Sequence, residues 1–148
     1  MAGETINERG SWATVQASDA MAPGEFSTGA KTAISTALST GQESNYPLLD
    51  FKLEITVGTP TDGDAMHVYR IPSADGSNAA ETPDDSSVYK AQYVGSFIMM
   101  DVAPDQFCYL FGIDNSDPSA TYLLENADGT VTLTAILKAR ARTYKAAS

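Results

Sequence analysis

The sequence has few residues that could carry covalent or metal-dependent chemistry. Its 148 residues include one cysteine, Cys108, and one histidine, His67. A single cysteine cannot form an internal disulfide, and a histidine ligand or base needs partners that no second His or Cys supplies here. We therefore interpret Cys108 as a small buried hydrophobe and His67 as an ordinary strand residue.

Catalytic and metal-binding motifs are also missing. The sequence contains no Gly-rich phosphate loop, nucleophile elbow or zinc-ligand spacing. The Asp-Gly pairs at Asp62–Asp64 and Asp75–Asn78 lack the regular oxygen spacing and terminal Glu of an EF-hand, and such pairs are typical of turns. The sequence predicts no enzyme, no cofactor and no metal site, and it leaves open whether the Asp-Gly loops bind a metal.

Basic residues are scarce. Nine Lys and Arg stand against 19 Asp and Glu, which gives a formal net charge of −10. An excess of this size repels nucleic acid and anionic membranes and favours solubility. No run approaches the ~20 apolar residues of a membrane helix, and no cationic start precedes an apolar run. We expect neither a nucleic-acid nor a membrane partner, and a protein made and folded in a cytosol.

What the sequence does contain is alternation with a period of two, which is typical of strands with one buried face. Phe51, Leu53, Ile55 and Val57 share one parity, and a Gly/Pro turn precedes the returning strand MHVYRI. The last strand is the longest and turns one apolar parity to the core: Val131, Leu133, Ala135, Leu137, Ala139 and Ala141.

The stretch Tyr89–Ile113 predicts two central strands joined by a turn at Val102–Asp105. The first carries one parity of apolar residues: Tyr89, Ala91, Tyr93, Phe97 and Met99. The second carries another: Phe107, Tyr109, Phe111 and Ile113. We interpret both sets as packed scaffold and not as a binding site.

Two other segments complete the prediction. Residues 28–38 fit both helical spacing and alternation, and we favour a strand because the neighbouring segments are strands. Asp128-Gly129 predicts a hairpin before the last strand. The count is eight strands, which predicts an all-β fold, an eight-stranded β-sandwich of jelly-roll type. We place an extended N-terminal arm at residues 1–10, the sandwich at 11–144 and a C-terminal tail at 145–148.

The basic residues that do occur are clustered. Lys138, Arg140 and Arg142 lie at i, i+2 and i+4 and so project from one face of the last strand. They fit a charged edge strand that resists aggregation, and equally a surface that docks on an acidic partner.

The segment Leu48–Asn78 (LLDFKLEITVGTPTDGDAMHVYRIPSADGSN), the strand YVGSF at Tyr93–Phe97 and the run ENADGTVTLTAILKARARTY resemble small structural proteins of tailed-bacteriophage heads. The shared features are a strand that ends in Pro-x-x-Asp-Gly-x-Asn, a Val-Gly-x-Phe strand, an Asn-x-x-Gly hairpin and a long final strand. They cover roughly residues 48 to 144. The loop Pro72–Ser87 is longer and more acidic than in that group.

The resemblance implies a cement or decoration protein, a non-enzymatic part of the virion. Such a protein sits on the outer surface of the capsid as a homotrimer or a dimer, with the major capsid protein and its own copies as partners. We expect contacts at the two ends of the chain: Glu4, Ile6, Arg9, Trp12, Lys138, Arg140, Arg142 and Tyr144. A head–tail connector or tail protein and a carbohydrate- or receptor-binding sandwich, through Tyr69, Tyr109 or Tyr122, are the alternatives.

Overall fold

The computed structural model describes residues 5–38, 43–72 and 92–146, and most of them form β-strands. The strands are β1 Thr5–Arg9, β2 Ala13–Met21, β3 Leu48–Val57, β4 Ala65–Ile71, β5 Gln92–Ile98, β6 Gln106–Asp114, β7 Thr121–Asn126 and β8 Leu133–Ala146. A short helix, α1 Ile34–Ala37, and a 3-10 turn, Glu43–Asn45, lie between β2 and β3.

The strands form two antiparallel sheets packed as a sandwich. In the larger sheet the order is β1-β8-β3-β6, and β2 also pairs with β8. The smaller sheet has the order β5-β4-β7. The all-β sandwich is therefore confirmed, and β8 is the strand on which the larger sheet is assembled, since it pairs with β1, β2 and β3.

The strands of the structure are not all the ones that the sequence predicts. Residues 28–38 are not a strand: they contain α1, and Lys31 makes only an isolated bridge to Gln16. The sandwich itself therefore has seven strands among the described residues, and the eighth, β1, comes from the predicted arm. Ile34 and Leu38 are buried while Thr36, which has the same parity, is exposed, a pattern that fits the helical turn and not strand alternation.

The core between the sheets is built by the predicted parities of β3 and β8. Phe51, Leu53 and Ile55 are fully buried, whereas Val57, at the end of β3, is exposed beyond a register shift. The inward residues of β8 are also fully buried: Leu133, Ala135, Leu137, Ala139 and Ala141. The small side chains of β8 leave room for the Phe51 ring, which packs 4.8 Å from that of Tyr122.

The Asp128-Gly129 turn is not a hairpin. It carries the chain from β7 in the smaller sheet to β8 in the larger one. The Asp128 carboxylate accepts hydrogen bonds from the backbone N–H groups of Thr61, Thr130 and Val131, at 2.7, 2.9 and 3.0 Å. An Asp-Gly pair signals a tight turn, but the side chain here ties a crossing between sheets instead of two paired strands.

The phase of β6 is opposite to the predicted one. Leu53 pairs with Cys108 and Phe51 with Leu110, so Cys108 and Leu110 turn to the core and Phe107, Tyr109 and Phe111 turn outward. A bulge with Gly112 at φ +72° then restores the inward phase for Ile113. In β5 a register shift likewise leaves Tyr93 exposed although Phe97 and Met99 are buried.

Candidate functional site

The predicted contact residues gather on the outside of the larger sheet. We call this surface the outer face and define it by the outward side chains of β3, β6 and β8 together with Trp12. Lys138, Arg140 and Arg142 all lie on it, as predicted, because they alternate with the buried alanines of β8. Tyr144 follows in the same phase and is exposed.

The N-terminal residues of the predicted set are less completely described. Glu4 lies outside the described residues. Ile6 lies in β1 opposite Lys145, and Arg9 lies opposite Arg142, where it is exposed. The arm therefore contributes a strand at the same end of β8 that carries Arg142 and Tyr144.

A buried carboxylate organises the basic residues. Asp50 is fully buried beneath the outer face, and its Oδ2 accepts a hydrogen bond of 3.1 Å from Nε of Arg140. Nε of Arg142 lies 3.2 Å from Oδ1 as an ion pair without hydrogen-bond geometry, and the backbone N–H of Gly112 donates to Oδ1 at 3.1 Å. Asp50 thus links β3, β8 and the bulge of β6, and it fixes both guanidinium groups.

A second carboxylate holds the lysines. Glu54 lies 3.0 Å from Nζ of Lys138 and 3.2 Å from Nζ of Lys52. Burial would raise the pKa of Glu54, but the two ammonium groups outweigh it and hold that pKa below its ordinary value. Lys138, Arg140 and Arg142 are therefore paired largely within the chain. The linear sequence could not reveal this pairing, because Asp50 and Glu54 lie about 90 positions upstream of these three residues.

Trp12 covers the paired charges. Its ring centroid lies 4.5 Å from Cζ of Arg140 and 5.3 Å from Nζ of Lys52. The ring also reaches Tyr109 of β6, at a centroid distance of 6.1 Å. A cation held over an indole ring is attracted by its negative face, and more strongly once water is excluded. Trp12 therefore connects the arm end of the sheet to its β6 edge.

Three aromatic residues of β6 complete the outer face, although the sequence predicts them as packed scaffold. Phe107, Tyr109 and Phe111 are 51%, 48% and 60% exposed. The rings of Tyr109 and Phe111 are parallel within 3°, at a centroid distance of 5.9 Å. The assignment failed because Cys108 and Leu110 make the opposite parity apolar too; Gly112, a glycine inside a strand, was the one signal of a bulge.

An apolar groove adjoins this face along the edges of β5 and β6. It has a volume of about 470 Å³, and its walls include Ile98, Met100 and Val102 together with Phe107 and Tyr109. Ile98, Met100 and Val102 are all substantially exposed. Cys108 lies half-buried in the same wall, and burial raises the pKa of its thiol, so it is a poor nucleophile there.

The outside of the smaller sheet has a different character. Ser96 Oγ lies 2.6 Å from both His67 Nδ1 and the Tyr93 hydroxyl, and the Tyr69 hydroxyl donates to Glu125 at 3.0 Å. The rings of His67, Tyr69 and Tyr93 meet edge to face. These polar groups bind one another across strands, so His67 takes part in a local network.

The three tyrosines that could bind carbohydrate in the alternative interpretation lie in three different environments. Tyr122 is fully buried and packs on Phe51, Tyr69 is half-buried on the smaller sheet, and Tyr109 stands on the outer face. The structure does not bring them together into one site.

The described residues contain neither a cluster of metal ligands nor a helix that could cross a membrane. In residues 5–38, 43–72 and 92–146, no group of three or more His, Cys, Asp or Glu side chains is placed to hold a metal ion. Within the same ranges, no helix has the length and apolar character to cross a membrane. The loop Pro72–Ser87, with the Asp-Gly pair at residues 75 and 76, lies beyond Pro72 outside them.

Comparison with known proteins adds no family assignment: the chain matches no protein-family model, and no curated protein sequence matches it significantly.

Proposed function

We propose that the protein is a non-enzymatic virion structural protein, a capsid cement or decoration protein that binds the outside of a phage head and bridges major capsid subunits. The observation that carries this proposal is the outer face, where Trp12 lies over the fixed Arg140 and shares the surface with the exposed rings of Phe107, Tyr109 and Phe111. The resemblance of residues 48 to 144 to small phage-head proteins supplies the partner, and the outer face supplies a surface suited to it.

The composition of this face is that of a protein interface. Interfaces are enriched in Trp, Tyr, Phe and Arg, and these types dominate the residues that carry binding energy. Large aromatic side chains exposed side by side are uncommon on a free surface, because each retains apolar area that burial would stabilise. Asp50 holds the arginines in place before any partner arrives, so less side-chain entropy is lost on binding.

The strand order supports a jelly roll as the finer description of the sandwich. Successive strands from β5 to β8 alternate between the two sheets, and the arm strand β1 lies beside the last strand. The segment before α1 extends the smaller sheet at β7, where Phe26 makes an isolated bridge to Glu125. Closing the sandwich with first and last strands side by side is the arrangement expected of two Greek keys.

Bridging requires more than one contact surface, and two more lie beside the outer face. The groove between β5 and β6 shares Phe107 and Tyr109 with it, and β1 flanks its opposite end. Contacts repeated over a symmetric shell add through multivalency, which a homotrimer would increase. Deletion of residues 1–10 should lower occupancy on heads, and unchanged occupancy would remove the arm from the proposal.

A carbohydrate-binding sandwich is the second candidate, favoured by the parallel exposed rings of Tyr109 and Phe111. A glycan array separates the two, because a cement protein should give no hits. A head–tail connector or tail protein is separated by stoichiometry: a cement protein covers the shell, whereas a connector forms one ring.

The direct test uses aromatic substitutions, because reversing the charges of β8 would also break the pairs with Asp50 and Glu54. Tyr109→Ser with Phe111→Ser removes the exposed rings, and Tyr93→Ser removes an equally exposed ring from the smaller sheet as the control. Head occupancy of the double variant should fall strongly while the control occupies heads normally. Normal occupancy by the double variant would refute the proposal.

A further inference from the structure

Positive charge is concentrated on the outer face. Four of the chain's nine basic residues lie there, Lys52, Lys138, Arg140 and Arg142. The two carboxylates that β3 contributes, Asp50 and Glu54, pair with these four. These six groups carry two positive charges in excess, although the net charge of the chain is −10.

Arg140 is the residue through which this excess can act on a partner. Nε donates to Asp50, and Cζ lies 4.5 Å from the Trp12 ring, so the guanidinium is held in one orientation. In the part of the chain that the structure describes, its Nη1 and Nη2 have no hydrogen-bond acceptor. Arg142 differs, because its Nη1 already donates to the Tyr144 hydroxyl.

A fixed guanidinium whose Nη1 and Nη2 have no acceptor among the described residues matches the geometry of a carboxylate. The planar fork can donate two parallel hydrogen bonds, which an ammonium group cannot do. The Tyr109 ring contacts Trp12, which lies over this guanidinium, and the exposed rings of Tyr109 and Phe111 would exclude water once an apolar side chain covered them. A partner segment with both acidic and apolar residues could bind the guanidinium through a carboxylate and cover the aromatic rings with its apolar side chains.

A phosphate would also fit the fork, but a nucleic acid is disfavoured. Screening limits an exposed charge to about 8 Å at physiological ionic strength, so a carboxylate docked at Arg140 feels chiefly the local positive excess. An extended polyanion runs past the face and meets the acidic remainder of the molecule, with its net charge of −10.

The geometry points to an acidic, apolar protein segment as the ligand of the outer face, with Arg140 receiving one of its carboxylates through Nη1 and Nη2. This inference rests on the proposed function, since it names the chemistry of the partner surface at the same face. On a capsid, the partner would be an acidic segment of the shell protein.

The test is a titration of the isotope-labelled full chain followed by NMR. Three probes are compared: a peptide in which Asp and Glu alternate with Leu and Phe, its counterpart with Asn and Gln, and an oligothymidylate. The acidic peptide should shift the Trp12 indole N–H and the Arg140 Nε signals. Its affinity should exceed that of the amide peptide by about tenfold, the loss expected when a charge-assisted bidentate contact becomes neutral.

Two variants test the residue. Arg140→Lys keeps the charge but removes the fork and should lower affinity for the acidic peptide by about tenfold. Arg70→Lys is the matched control, because Arg70 lies on the smaller sheet, where it donates to Gln92 and pairs with Asp114. Its affinity should be unchanged. The comparison of the two peptides on the unmodified chain needs no variant to fold.

Several outcomes would overturn the inference: equal affinity for the acidic and amide peptides, an unchanged Arg140→Lys variant, tighter binding of oligothymidylate, or no shift up to the solubility limit of the acidic peptide. Head occupancy separates this inference from the cement function. If Arg140→Lys occupies heads normally, the role of Arg140 is wrong and the cement function stands. If the protein binds the acidic peptide through Arg140 but leaves heads bare, the cement function is wrong and the inference about Arg140 stands.

Discussion

The outsides of the two sheets are both rich in aromatic residues, yet they are organised differently. On the smaller sheet, Tyr69, Tyr93, Ser96 and His67 engage their polar atoms with one another or with Glu125. On the outer face, Trp12 lies over the Arg140 guanidinium and the Lys52 ammonium group, which are anchored by the buried or half-buried carboxylates of Asp50 and Glu54. The first arrangement stabilises its own sheet, while the second leaves aromatic rings exposed on the same face as the anchored charges.

The two regions should differ most in how much stability is lost when one carboxylate is replaced by an amide. Asp50→Asn leaves two largely buried guanidinium groups without a counter-charge and should lower the free energy of unfolding by about 3 kcal/mol. Asp114→Asn, which breaks the more exposed pair with Arg70, should lower it by under about 0.5 kcal/mol. Urea denaturation measures both, and equal losses would show that Asp50 is not the anchor of the outer face.

Alkaline pH should act through tyrosines of the smaller sheet. Burial, helped by the Glu125 carboxylate, raises the pKa of Tyr69 from 10.0 to about 12, and burial raises that of Tyr122 to about 12. Between these values the unfolded chain loses phenolic protons that the folded chain keeps, so the stability falls as the pH rises from about 10 to 12 and is unaffected by these groups below 10. Thermal midpoints over this range should fall less steeply in Tyr69→Phe and Tyr122→Phe, and parallel profiles would contradict this assignment.

The same two substitutions should differ in sign at neutral pH. Tyr69→Phe removes a hydrogen bond to Glu125 and should cost about 1 kcal/mol of unfolding free energy. The Tyr122 hydroxyl is buried near the Arg70 guanidinium but makes no hydrogen bond of good geometry with a described residue, so Tyr122→Phe should be neutral or stabilise by under about 1 kcal/mol. Chemical denaturation of both variants checks this, and a destabilised Tyr122→Phe would mean that the hydroxyl is satisfied in solution.

The smallest effect on stability is expected for Phe111, although its removal should change binding strongly. Phe111 and Tyr93 are each 60% exposed, on the outer face and the smaller sheet respectively. Replacing Phe111 with Ser should change the free energy of unfolding by under about 0.5 kcal/mol, because surface substitutions remove little buried area. Tyr93→Ser also removes the hydrogen bond to Ser96 and should cost about 1 kcal/mol. A loss of several kcal/mol for Phe111→Ser in denaturation experiments would make its ring part of the packing and not of an interface.

The fold was predictable to the extent that one parity of a strand is apolar. Phe51, Leu53 and Ile55 and the inward residues of β8 follow this rule, and so their burial could be read from the sequence. In β6 both parities are apolar, and the phase is decided by the pairing with β3 and by the bulge at Gly112, which are tertiary features. Periodicity alone could not choose between them.

Only part of the candidate site could be predicted from the sequence. Lys138, Arg140 and Arg142 were found because their spacing is local, and Trp12 was named with the arm. Their anchors Asp50 and Glu54, and the rings of β6, come from distant parts of the chain and meet them only through sheet register. A stripe of charge in a sequence marks a face, but the partners of that face have to be read from the structure.

We propose that the outer face, and not the smaller sheet, binds the partner. Occupancy on phage heads, compared between the variant carrying both Tyr109→Ser and Phe111→Ser and the Tyr93→Ser control, tests it most directly. We expect the double variant to leave heads largely bare while the control decorates them as the unmodified protein does. Equal decoration by both variants, or loss confined to Tyr93→Ser, would contradict the account.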